Sequence, residues 1–164
     1  MSEHVGQKGK IRVGGKTGYS EVTLTLDTNI YASGDVLSDT VPVHNALDEE
    51  EGTGIIHSII LLDKDDQGGA LDLVFFRTNV SLGTKNAAVS ISDTNADEII
   101  EVVEIAASDY VDLVNSQIAI KSNLGVGFQG APSQGNKIYV AAISRDSKTY
   151  SANGITLKIS ILQD

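Results

Sequence analysis

Asp63-Lys64-Asp65-Asp66-Gln67-Gly68 sets carboxylates ahead of a glycine, much as a loop wraps calcium or another hard cation in oxygen ligands. The closing ligand is missing, because Val74 stands where such a loop needs a bidentate glutamate. Asp and Gly also gather in turns for backbone reasons, since Asp bonds its own main chain and Gly accepts positive φ. The segment therefore reads as a solvated turn, and no metal is expected. His4, His44 and His57 are scattered, without the i, i+4 helix spacing of a zinc site. The chain has no cysteine, which removes thiolate ligands, cysteine nucleophiles and disulfides. No serine lies in a Gly-x-Ser-x-Gly elbow, and Asp146-Ser147 has no histidine in register. Two carboxylates could meet across a β-sandwich as in a glycosidase, but the sequence selects no pair. Gly125-Val126-Gly127 does not lead a strand into a helix as a phosphate-cradling loop does, so it reads as a corner. Neither an enzyme nor a cofactor is expected.

Composition narrows the partners. A chain of 164 residues fits one domain with a core of its own. Aromatic residues make up 5% and tryptophan is absent, which weighs against stacking platforms for sugars or single-stranded nucleic acid. The net charge of −10 would repel a phosphate backbone, so nucleic acid is not an expected partner. No apolar run approaches the length that spans a bilayer, and the N-terminus does not read as a signal peptide. A soluble product made in a cytoplasm, with no membrane partner, is the expectation. The charge is unevenly placed: Lys8, Lys10, Arg12 and Lys16 against Glu3 give +3 for residues 1–20, leaving −13 for the rest.

The elements that position these residues follow from the hydropathy pattern. Residues 1–20 are rich in Gly, Lys and small polar residues, with only Val5, Ile11 and Val13 to bury, and read as a basic arm. Residues 21–164 read as the domain. Val22, Leu24 and Leu26 alternate with Thr23, Thr25 and Asp27, the period of two that turns one side of a strand to a core. Ser33-Gly34-Asp35 is a turn, and the pieces around Val36-Leu37 and Val41-Pro42-Val43 belong at an edge, because Pro42 has no N–H for a central ladder. Residues 55–62 fit a strand buried on both faces. Leu71, Leu73 and Phe75 then alternate with Asp72, Val74 and Phe76, and the turn residues between the two runs predict an antiparallel hairpin. Residues 92–98 carry helix-start residues and acids, enough for one helical turn. Residues 99–105, 118–122, 126–128, 138–143 and 155–162 complete the strand candidates. Short strands with polar turns and no sustained helical period predict an all-β fold, a single antiparallel sandwich or barrel of jelly-roll type, with its C-terminal strand closed against an early one.

Leu26-Asp27-Thr28-Asn29-Ile30-Tyr31-Ala32-Ser33-Gly34-Asp35-Val36-Leu37, the run at residues 58–76, Tyr139-Val140-Ala141 and the strand at 157–162 together carry a family style. In these segments the chain resembles the small proteins encoded near the major capsid protein of tailed bacteriophages, which decorate or cement the head. That resemblance implies a structural virion protein, made in the bacterial host cytoplasm, that binds the capsid exterior where major capsid subunits meet and stabilises the head. It also implies a homo-oligomer, a trimer before a dimer. The alternative reading is a carbohydrate- or receptor-binding β-sandwich of a phage fibre or cell surface. A carboxylate-based hydrolase on the same fold is the third.

The residues expected to make subunit or capsid contacts are Lys8, Lys10, Ile11, Arg12, Val13 and Lys16 in the arm, and Tyr31, whose residue type favours interface rims. Cationic side chains on a glycine-rich segment can pair with acidic groups of a neighbour, but ordering costs roughly 1–2 kcal/mol per fixed residue. Ile11 and Val13 are the apolar anchors that would offset that cost. Tyr139 and Tyr150 read as half-buried rings with bonded hydroxyls, which is the other reading of Tyr31, and Asp48-Glu49-Glu50-Glu51 as a solvated acidic loop.

Overall fold

A computed structural model describes residues 15–163, and the strand order follows from where the apolar alternation finds partners. In the first sheet β1 (Lys16–Thr23) pairs with β10 (Ile155–Gln163), which pairs in turn with β3 (Thr53–Asp63). The other side of β3 is filled by two short strands end to end, β7 (Gln117–Lys121) and β8 (Val126–Gln129), with β6 (Tyr110–Asp112) outside β7. Gly125, at φ +66°, lies in the break between β7 and β8, as a corner glycine should. The second sheet runs β2 (Val36–Val43), β9 (Ile138–Ser144), β4 (Leu71–Phe76), β5 (Ile99–Ile105). All of these pairings are antiparallel.

Counting β7 and β8 as one interrupted strand, the orders β1-β10-β3-β7/β8 and β2-β9-β4-β5 are those of an eight-stranded jelly roll. Ile56, Ile59, Leu61, Leu157 and Ile159 of one sheet and Leu71, Leu73, Phe75 and Val140 of the other meet in the core between the layers. The helical turn is present as α1 (Asp93–Ala96), where the Ser92 hydroxyl caps the Asn95 N–H. Pro42 sits on edge strand β2, whose one ladder neighbour is β9.

Three expectations need correction. The runs 55–62 and 71–76 are not a hairpin, because β3 and β4 lie in opposite sheets. The link between them is a corner built on Asp63, which is fully buried and accepts from the N–H groups of Asp65 at 2.9 Å, Gln67 at 2.9 Å and Gly68 at 2.8 Å. That cage replaces the ladder bonds the chain gives up in leaving the sheet. Within the apparent calcium loop Asp63 is thus satisfied by backbone N–H groups, and Asp65 accepts from the N–H and hydroxyl of Ser151. The run 55–62 is also not buried on both faces, since Ile55 is 41% exposed. Finally, the domain starts before residue 21: Lys16 to Thr23 pair along β10, which supplies main-chain partners whether or not the side chains are apolar. The rest of the expected arm, residues 1–14, lies outside the described residues.

Candidate docking face

Each sheet of a sandwich has an inner and an outer face, and here the two outer faces differ. Behind β2-β9-β4, the outward side chains Val36, Val74, Phe76, Tyr139, Ala141 and Ile143 form a second buried cluster with Leu82. Residues 77–98 lie over it, contributing Val80, Leu82, Val89 and Ile91. Backbone bonds hook this cover down, Val36 N–H to Ala87 O at 2.9 Å and Val89 N–H to Gly34 O at 3.0 Å, and Arg77 N–H to Glu98 O at 2.9 Å joins its two ends. Thr40 Oγ1 donates to Val80 O from the edge strand.

The first sheet has no such cover among the described residues. Paired residues share a face, so the register shows what points outward. Ile60 is flanked by Lys158 and Ile120, and Leu62 by Thr156 and Ile118, while Val111 lies beyond Ile118. Their inward neighbours Ile59 and Leu61 are fully buried. Ile120 is 56% exposed and Val111 60%, and Ile60, Leu62 and Ile118 are half-buried. The outer face is therefore apolar over β3, β7 and β6 and polar toward β1, where Glu21 pairs with Lys158. The β6–β7 connection extends the apolar side with Leu113 and with Val114, which is 79% exposed at φ +78°. A β-branched residue in that region is strained. Asp112 holds the strained turn by accepting the Val114 N–H at 2.6 Å.

At the other end of this face lies a cleft of about 510 Å³ lined by Gly15, Thr53, Ile55, Gly127 and Leu162, while the Phe128 ring lies over Gly54 on the inward side and packs against the core. The acidic loop Asp48-Glu49-Glu50-Glu51 leads through Gly52 straight into Thr53, and all four side chains are exposed. Glu50 accepts the Ser133 N–H, and Gly130 N–H bonds Gly52 O at 2.9 Å, fixing the loop beside β8.

Of the residues expected to make contacts, Lys8, Lys10, Ile11, Arg12 and Val13 lie outside the described residues. Lys16 is exposed at the start of β1 and reaches Asp48 of the acidic loop at 2.6 Å. Tyr31 is corrected: it is 1% exposed, so it is not on a rim. Its hydroxyl donates to Leu37 O at 2.9 Å and accepts from Asp27 N–H at 2.5 Å, and its ring lies 6.3 Å from that of Tyr150. Burial pushes the Tyr31 hydroxyl up to about 12 and also raises Tyr110 and Tyr150. Tyr139 is buried on the covered face, donating to Gln134 Oε1 at 2.8 Å.

At the β6–β7 edge, Lys121 and Asp109 pair at 2.6 Å. The Lys121 ammonium and the Ala106 N–H hold the Asp109 carboxyl below the usual carboxylate range. His44 and His57 are exposed, on the β2–β3 link and at the bulge in β3 respectively. Among the described residues, no three of His, Asp and Glu cluster as a metal site. Full burial of a side chain such as Ile120 against another surface would be worth roughly 1.5–3 kcal/mol.

No family model matches the chain, and no curated protein matches it. Among solved structures it is similar to that of Desmodium yellow mottle tymovirus, at 12% identity and a TM-score of 0.31, over 90% of this chain and 80% of that one. It is also similar to that of infectious bursal disease virus strain Gx, at 13% identity and a TM-score of 0.21, over 90% of this chain and 38% of that one. At these scores the strand order, not the likeness, carries the fold.

Proposed function

We propose that this chain is a structural virion protein that binds the outside of a tailed-phage capsid through the bare face of its first sheet and braces the joints between major capsid subunits. The observation that carries this reading is the unequal covering of the two sheets. One outer face is sealed by residues 77–98, while the other offers Ile60, Ile118, Ile120 and Val111 to a partner. Contiguous exposed apolar surface on a folded protein marks an interaction site. Jelly rolls serve in capsid and lectin domains alike, so the fold supports the reading by analogy alone. The test is to purify particles from cells that produce the chain and from cells that produce Ile60→Asp/Ile120→Lys. Wild-type protein should band with the particles in stoichiometric amount and the double variant should not. Particles free of the wild-type chain would overturn the proposal.

The sugar-binding alternative is favoured by one observation. Tyr19, 56% exposed, lines a second cleft of about 320 Å³ with Asn45, Asp48 and Asn136. An exposed ring beside amide and carboxylate groups is how a protein grips a sugar ring. Glycan-array binding abolished by Tyr19→Ala would establish it.

A further inference from the structure

Four strands lie at the edges of the two sheets, and three of them are closed to further pairing. β2 carries Pro42 and breaks register with β9, and its Val36 already accepts the Asn86 N–H and donates to Ala87 O, both at 2.9 Å. β5 carries Glu101 and Glu104, and the Glu101 carboxylate takes the Val102 N–H at 2.9 Å. β6 is three residues long. Short length, acids, proline and bulges are how proteins keep an edge from pairing. β1 is different: eight residues run in unbroken register with β10, without proline. Its two charges have neighbours in the same copy, Lys16 pairing with Asp48 and Glu21 lying opposite Lys158.

The open side of β1 can be read residue by residue. Leu24 N–H bonds Ile155 O at 3.0 Å, so the even-numbered residues turn their main chain to β10, while Thr17, Tyr19, Glu21 and Thr23 turn theirs away. Thr25, the next in that series, shows the same direction, since its N–H leaves the ladder for Ser38 Oγ at 3.2 Å. Among the described residues the outward N–H and C=O groups of Thr17, Tyr19, Glu21 and Thr23 have no main-chain partner. We propose that this edge pairs with the same edge of a second copy, antiparallel about a two-fold axis at Tyr19. Tyr19 then faces Tyr19, and Thr17 faces Glu21 of the other copy, each pair exchanging two main-chain bonds.

Charge and side-chain size fit a second copy in this register. With the axis at Ser20, the two Glu21 carboxylates would be diagonal neighbours about 7–8 Å apart, a like-charge pair on one face. An axis at Gly18 leaves both Glu21 and Thr23 without a β1 residue opposite. At Tyr19 the two acids stand about 13 Å apart along the strands, each against a threonine. The Tyr19 ring, 56% exposed in the single copy, gains an aromatic partner across the axis. On the inward side Gly18 meets Ser20, both small enough for close approach. The axis is perpendicular to the sheet, so the bare faces of both copies come out on the same side. The pairing rests on the edge alone and needs no capsid.

The chain has no cysteine, so single cysteines report the axis directly. Residues opposite each other in a hydrogen-bonded pair have Cα atoms about 5.5 Å apart, within disulfide reach. Mild oxidation should therefore link full-length Tyr19→Cys into dimers and leave full-length Thr23→Cys as single chains in denaturing gels. Sedimentation of the unaltered full-length protein should show a dimer that forms with rising concentration. Tyr19→Pro removes an N–H that β10 does not use, and it should abolish that dimer. Thr17→Glu, at an exposed position facing the other copy's Glu21, should weaken association about three- to tenfold, and Thr17→Lys should strengthen it. A monomer at every concentration up to the millimolar range, the result if residues 1–14 or a strand of another protein fill this edge, would overturn the proposal. So would a dimer indifferent to Tyr19→Pro and to both Thr17 changes, or one linked as readily through position 23 as through position 19.

Discussion

Strands β3 and β4 are alike as text and opposite in fate. Both carry apolar residues at odd and even positions alike: Ile55, Ile56, Ile59, Ile60, Leu61 and Leu62 in one, Leu71, Leu73, Val74, Phe75 and Phe76 in the other. Every residue of β4 is buried, whereas β3 is fully buried on its inward side alone. The difference is not in the strands. Residues 77–98 lie over β4, and among the described residues no counterpart lies over β3. Whether an apolar strand face is core or contact surface is thus decided by a distant stretch of chain, and that makes the contrast testable.

The largest effect is expected on the covered side. Phe76→Ala should cost roughly 3–5 kcal/mol in urea unfolding, because a fully buried ring leaves a cavity under the cover. A cost below about 1 kcal/mol would mean that residues 77–98 lift easily, and the two faces would cease to differ. The layer that both faces share answers to alkali. The buried Tyr31, Tyr110 and Tyr150 favour their protonated forms in the folded state, with Tyr31 at about 12. Stability should be full below the unfolded value of about 10 and decline as pH rises through the folded values, with tyrosinate absorbance appearing together with unfolding. Tyrosinate formed by all three in the still-folded protein would contradict this.

On the bare side the expected effects are smaller. Val114→Gly should raise stability by about 0.5–1 kcal/mol by relieving the positive φ, less the entropy that glycine adds to the unfolded chain. The same change should weaken partner binding, since it removes the exposed tip. Ile120→Thr should change the free energy of urea unfolding by no more than about 0.5 kcal/mol, as a half-exposed position predicts. A loss comparable with Phe76→Ala would mean that Ile120 belongs to the fold and not to a surface.

The all-β class, the positions of most strands other than β6 and the first half of β1, the edge role of Pro42 and the capped turn at Ser92 were legible because each rests on local chemistry: alternation, a missing N–H, a hydroxyl at a helix start. The closing of β10 on β1 followed from the need to protect sheet edges. The sheet assignment of β4 was not legible. Asp63 reads as any turn aspartate, and only its burial reveals that it gathers three N–H groups and sends the chain across the sandwich. Tyr31 was misplaced for a related reason, since a ring in a polar turn looks exposed until Leu37 O and Asp27 N–H are found at its hydroxyl. The bare face left no mark in the sequence, because β3 would read the same with or without a lid. The acidic loop was visible, but its ion pair with Lys16 at the start of β1 belongs to the fold alone.

β10, the last of the ten strands among the described residues, lies between β1 and β3. Until it leaves the ribosome, β1 has no ladder partner and β3 lacks one of its edges. The first sheet therefore cannot assemble progressively during synthesis; it must wait, with the apolar run of β3 open on an edge as well as on its face. Such delayed closure makes folding slow and exposes nascent chains to one another. Where many copies are made at once, the interval before β10 arrives is the time at which aggregation competes, and chaperone demand should fall on that interval more than on the finished domain.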